Sequence, residues 1–187
     1  MEWKDHKKRC RWANPKNEIY IRYHDEEWGV PVYEDKKLFE MLLLESFQAG
    51  LSWECILNKR EAFRRAFDQF EPEKVSAYDA GKIEAPARDS SIIRNRGKIC
   101  AAVKNARIFL EIQKEWGSFS AYLWHWTDDQ VLRETDMTHS PLSDQISKDL
   151  YRRGMRFVGT IIIYAYLQAV GVIWAHEKDC DWKERKE

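Results

Sequence analysis

Apolar positions in this chain recur mainly at helical spacing. In KICAAVKNARIFLEIQKE, residues 98–115, Ile99, Ala102, Val103, Ala106, Phe109 and Leu110 fall on one face, as in an amphipathic helix. Upstream, Asp35 is placed to cap a helix through KKLFEMLLLESFQA, with Gly50 at its end. An acidic side chain can accept from the first free N–H groups, and glycine tolerates the left-handed turn that closes a helix. A second helical stretch starts at Ser52 and runs through WECILNKREAFRRAF with little interruption, and short helices fill 72–90. Ser140 followed by Pro141 is a cap and a first-turn proline, so a helix runs from there to Arg153 and Gly154 ends it. No segment alternates convincingly enough to predict a strand. The pattern predicts an all-α fold.

Residues 157–175, FVGTIIIYAYLQAVGVIWA, carry no charge and reach the length of a membrane span. Thr160 and Gln168 interrupt the run, Gly159 and Gly171 weaken it, and there is no second candidate. It reads as a helix buried on all sides in the core.

Composition narrows the picture. A chain of 187 residues suits one compact domain, spanning 1–187. Lys plus Arg and Asp plus Glu both number 31, which excludes a globally basic nucleic-acid coat; any DNA site must be a local patch. The N-terminal MEWKDHKKRC lacks the apolar run of a secretory signal. Cys10, Cys55, Cys100 and Cys180 are too far apart for a disulfide scaffold, so a cytoplasmic, reducing setting is expected. The charged tail, about 181–187, reads as disordered. No Walker A, G-x-G-x-x-G or G-x-S-x-G motif is present, so nucleotide hydrolysis and dehydrogenation have no support.

Three features suggest chemistry. His176 and Cys180, four residues apart, share a helix face and offer two metal ligands, with Cys10 and His24 as further candidates. By spacing alone, a surface histidine and ordinary thiols are the stronger reading. Glu45 lies inside the apolar run MLLLESFQAGLSW, near Trp53, with Tyr23 and Trp28 in YHDEEWG. A carboxylate among aromatic faces suits a flat cationic or amino-bearing ligand, although most rings in a chain of this size pack the core. RNRGK, residues 94–98, puts a glycine among cations at a helix start, a place that can hold phosphate. KREAFRR (59–65) and YRRGMR (151–156) could extend that patch, but runs of charge are usually solvated helix faces.

In this order, RCRWA, YIRYHDEEWGVPVYEDKKLFEMLLLESFQAGLSW, IIRNRGKI and RGMRFVGTIIIYAYLQAVG resemble the bacterial 3-methyladenine-DNA glycosylase I family, over about Arg9 to Cys180. The resemblance implies a single all-helical domain of the helix-hairpin-helix glycosylase superfamily. It implies that Cys10, His24, His176 and Cys180 hold one structural zinc ion joining the N- and C-terminal segments. Glu45 matches the carboxylate that recognises the methylated base and is the one expected catalytic residue. Trp53 matches the stacking ring, Tyr23 and Trp28 further walls, and Trp12 a less certain wall. Gly50 and Leu51 match a wedge at the lesion. Arg94, Arg96, Gly97 and Lys98 would grip the DNA backbone. The implied partner is alkylated double-stranded DNA, with free 3-methyladenine as product, 3-methylguanine as a further candidate base, and a monomer as the default state.

Many helix-hairpin-helix glycosylases add a catalytic Asp after the hairpin; here no Asp occurs between Asp89 and Asp128. The family commonly has Asn-Asp before its second zinc histidine, where this chain has Trp174-Ala175, and Ser46 stands where glycine is frequent. Two competing readings remain at this point. One is a non-catalytic module recognising lesions or bent DNA on the same fold. The other is a zinc-stapled helical interaction protein whose aromatics are core.

Overall fold

A computed structural model describes residues 5–184. Its centre is a helix buried on nearly every side. Leu38 to Phe47 are all buried in α2 (Asp35–Gln48), where a contiguous apolar run leaves no face for solvent. Ahead of it lies α1 (Glu18–Arg22), capped by the Asn17 side chain and continuing into a wider turn, Tyr23–Glu27. Then follow α3 (Trp53–Leu57), α4 (Arg60–Ala66), α5 (Pro72–Ser76), α6 (Ala80–Arg88), α7 (Arg96–Trp116), α8 (Phe119–Trp124), α9 (Pro141–Arg153) and α10 (Thr160–Ala169). Helices α3, α7, α8 and α10 all pack on α2.

Some local signals read true. Helix α9 has Ser140 as its cap, paired reciprocally with Ser143, Pro141 in the first turn, and Gly154 closing it with φ of 107°. Helix α7 takes Asn95 as its cap, the side chain accepting from Lys98 N–H. Asp35 acts differently from the expectation. It is the first helical residue of α2, and its carboxylate reaches across to accept from the Phe119 and Ser120 N–H groups at the start of α8, and from Gln113. The acidic cap thus serves a neighbouring helix and ties α8 to α2.

The stretch from Ser52 is two helices, broken at Asn58 and Lys59. Asn17 holds the Asn58 side chain at 2.9 Å, while Arg60 turns inward to Glu40 at 2.5 Å and Glu27 at 2.9 Å. The expected 157–175 helix is also shorter. Helix α10 stops at Ala169, and the chain then forms a two-residue strand, β2 (Ile173–Trp174), paired in parallel with β1 (Leu132–Arg133). The cause is tertiary. Segment 29–32 crosses the end of α10, where Gly29 N–H donates to Gln168 O and Val32 N–H to Val170 O. Gly171 has φ of 74°, and a Cβ there would lie 2.3 Å from Pro31 N; only glycine permits that crossing.

Among the described residues no helix is long and apolar enough to cross a membrane. The expectation of a disordered tail fails over 181–184. Trp182 packs on the core and donates to Asp25 O at 3.0 Å, and Asp181 N–H donates to Lys8 O. Residues 185–187 lie outside the described residues.

Candidate active site

Two buried carboxylates on α2 have opposite surroundings. Glu40 is met by Arg60 and by Arg64 at 2.8 Å. Among the described residues Glu45, 3% exposed, makes no ion pair, and its oxygen Oε2 has no hydrogen-bond partner. Burial alone pushes the Glu45 carboxyl up to about 8, because an unpaired charge in an apolar setting is costly. This acid is therefore protonated at neutral pH.

Around it is a cavity of about 260 Å³. Glu45, Trp53, Tyr23, Trp28 and Trp12 all line it, joined by Tyr20, Gln48, Ala165 and Gln168. Trp12 meets Trp28 edge to face at 4.8 Å, and Tyr23 lies 5.4 Å from Trp53. The Trp53 Nε1–H is buried without an acceptor. The pocket thus presents aromatic faces, one acid and one free donor. Sequence reasoning passed over the other four lining residues. Tyr20 precedes Tyr23 by three, Gln48 follows Glu45 by three and Gln168 follows Ala165 by three, so helical spacing from the first-chosen residues would have found two of them.

Gly50 follows directly on this wall, with φ of 81° and open space where a Cβ would sit. Leu51 is 41% exposed beside it, and its N–H donates to the carbonyl of Gln48, a pocket-lining residue.

In the basic turn that the resemblance makes the hairpin, Arg94, Asn95, Arg96 and Gly97 are exposed at the start of α7. Arg96 pairs with Glu84 on the surface. Lys98 departs from the phosphate role expected of it. Its ammonium is turned inward, donating to Phe47 O at 2.8 Å and Ala49 O at 2.5 Å, and burial lowers its pKa below the ordinary lysine value. The other basic clusters are largely spent internally: Arg60 and Arg64 on Glu40, Arg152 and Arg153 on Asp149, and Arg153 also on Glu115.

Behind Trp28, Cys10, His24, His176 and Cys180 are all buried, with ligand atoms within 4.8 Å of one another. This group can hold a metal ion. Cys180 Sγ lies 3.5 Å from both His24 Nε2 and His176 Nδ1, and Cys10 Sγ lies 3.6 Å from His176 Nδ1. Contact between the sulfurs pushes the Cys10 thiol up and pulls Cys180 down. The surroundings are lopsided. His24 Nδ1 is 2.8 Å from Asp25 Oδ1, and Arg9 holds Asp25 through two bonds. His176 Nε2 is buried with no partner. Where the resembled family has Asn-Asp, Trp174 instead packs its ring 4.7 Å from His176.

A family model for methyladenine glycosylases matches residues 12–184. The chain belongs to the methyladenine glycosylase family. Among methyladenine glycosylases, it is 43% identical over 178 residues to DNA-3-methyladenine glycosylase 1 of Escherichia coli (strain K12), covering 92% of this chain and 95% of that protein. It is 39% identical over 181 residues to the DNA-3-methyladenine glycosylase of Haemophilus influenzae, covering 94% and 97%. A solved variant of 3-methyladenine DNA glycosylase I in complex with 3-methyladenine superposes with a TM-score of 0.90 at 37% identity, covering 96% of this chain and 99% of that one. The mostly helical single-domain fold is thus that of the methyladenine glycosylases.

Proposed function

We propose that this protein excises 3-methyladenine from alkylated duplex DNA by hydrolysing the N-glycosidic bond, and that the pocket around Glu45 is where the base is held. The observation that carries the reading is a buried, unpartnered acid beside an unpartnered indole N–H inside an aromatic cavity. A buried acid and a buried donor without protein partners are costly to desolvate. A flat base that stacks on Trp53 and carries positive charge relieves the cost: the rings attract the cation, and the cation makes Glu45 easier to ionise.

Methylation at N3 makes the base cationic and weakens its bond to C1′. When that bond breaks, its electron pair goes to the base, which departs neutral. Water captures the oxocarbenium-like sugar and releases a proton. Such a leaving group needs little protonation, so a strong general acid is unnecessary. The absence of an Asp between Asp89 and Asp128 fits this chemistry. Glu111 is exposed and Glu115 is engaged by Arg153; among the described residues Glu45 is the single carboxylate lining the pocket. Neutral adenine gains less from both the rings and the acid, which is the basis of selection.

Exposed Leu51 enters the duplex as the base is turned out, an apolar wedge of the kind that holds an unstacked step open. Backbone N–H groups at the start of α7, with Arg94, grip phosphate.

The metal is zinc in this reading. Tetrahedral zinc, with bonds of about 2.3 Å to sulfur and about 2.0–2.1 Å to nitrogen, sets neighbouring S and N atoms about 3.6 Å apart; the observed separations are 3.5–3.6 Å. Four protein ligands leave no open position for water, so the ion would be structural.

Tryptophan-fluorescence titration with free 3-methyladenine and with adenine tests the pocket. Free 3-methyladenine is the stronger base and can take the proton that burial keeps on Glu45. Saturable quenching by 3-methyladenine, with much weaker quenching by adenine, is expected. Equal responses would contradict the assignment.

A further inference from the structure

We propose that Lys98 is a positioning residue that couples the DNA-gripping hairpin to the wedge turn Gly50–Leu51; this rests on the glycosylase reading above.

Lys98 sits in the first turn of α7, its N–H held by the Asn95 side chain. Its side chain leaves the hairpin and ends on two carbonyls at the finish of α2. The last carbonyls of a helix lack intrahelical donors and are commonly met by N–H groups of a left-handed closing turn. Here Ala49 has φ of −45° and ψ of 111°, and no backbone N–H caps α2 at that residue. The ammonium takes over that task, and its charge suits the negative end of the helix.

What makes this more than a cap is what the two ends carry. One end is the exposed stretch Arg94–Gly97. The other is the helix of Glu45 and, immediately after Ala49, the glycine and the exposed leucine of the rim. The same ammonium lies 5.7 Å from the ring of Phe157, a non-glycine residue held at φ of 56° ahead of α10, the helix that brings Ala165 and Gln168 to the pocket. Lys98 therefore joins the turn ahead of α7 to the wedge turn, beside the exposed Phe157 that leads into α10. A shift of the hairpin on phosphate moves the rim with it, and the wedge is presented in a fixed register to the duplex the hairpin holds.

Lys98→Met separates this role from a phosphate contact and from plain structural support. Three quantities are read on the full-length, metal-loaded protein: affinity for free 3-methyladenine, the salt dependence of duplex binding, and base release from methylated DNA as duplex and after heat denaturation. Release from duplex is expected to fall about tenfold or more, because extrusion is the step that needs the wedge. Release from denatured DNA, free-base affinity and the salt slope stay at wild-type values. Arg94→Ala is the control and lowers the slope by about one. A similar drop in slope for Lys98→Met would overturn the proposal in favour of a phosphate contact. Equal losses on duplex, denatured DNA and free base would overturn it in favour of general support, and unchanged duplex release would also overturn it. Should Lys98→Met not fold, Lys98→Leu, which likewise removes the donor to the carbonyls, carries the same comparison. Wild-type protein that releases no base from either substrate overturns the glycosylase reading as well, whereas failure confined to the variant pattern overturns only the role of Lys98.

Discussion

The indole of Trp28 meets the imidazole of His176 edge to face, with ring centroids 4.7 Å apart. Trp28 also forms a wall of the aromatic pocket. With Trp12, whose ring lies 5.2 Å from His24 and which lines the same pocket, it separates the metal-ligand cluster from the place assigned to the base. A metal ion held by the four side chains would fix both histidines, and its removal would take away the backing of that wall. Chelation is expected to lower the melting temperature and weaken 3-methyladenine binding together. A metal-free preparation with full thermal stability and full affinity would contradict this.

The unequal support of the two histidines gives a second expectation. Asp25 orients His24, whereas His176 Nε2 has no polar partner. Groups that orient a metal-bound histidine typically contribute 10–100-fold in affinity, so Asp25→Ala should weaken metal binding by about that factor. Competition with a chromophoric chelator measures it. Unchanged affinity would mean that ring packing alone orients His24.

Glu45 makes stability depend on pH. Its folded value, about 8, lies above the unfolded carboxyl value, so between the two the folded state holds the extra proton. Stability attributable to this group therefore falls as pH rises from about 4.5 to about 8 and then levels, by up to about 1.4 kcal/mol per pH unit. Glu45→Gln removes the dependence. The melting temperature of the variant relative to wild type should climb between pH 5 and pH 8, while affinity for 3-methyladenine is lost. Parallel melting curves across that range would show that the acid is not held neutral.

Leu51→Ala tests the rim. The side chain is 41% exposed, so its truncation should change stability by no more than about 0.5 kcal/mol. Release of base from duplex DNA should fall while binding of free 3-methyladenine persists. A large loss of melting temperature would assign Leu51 to packing instead.

Features specified by neighbours in sequence were legible in it. The Ser140–Pro141 start and Gly154 stop of α9 are local chemistry, and they read correctly. Glu45 stood out because a carboxylate in an apolar run is conspicuous; Gln48 and Gln168, neutral and unremarkable in composition, line the same cavity without such a mark. The misreadings share a cause. Helix α10 ends where segment 29–32 crosses it, and nothing local to 170–175 announces that crossing. Lys98 sits among arginines in a basic turn, yet its acceptors, Phe47 and Ala49 carbonyls, come from about fifty residues earlier. The charged tail looked unstructured because the anchor of Trp182, the Asp25 carbonyl, lies at the other end of the chain.

The most direct test is base release from methylated duplex DNA, with the liberated purines separated and identified. Wild-type protein is expected to release 3-methyladenine with little 7-methylguanine, and Glu45→Gln, still folded, to release far less. Folded, metal-loaded wild-type protein that binds the duplex but liberates no 3-methyladenine would contradict this.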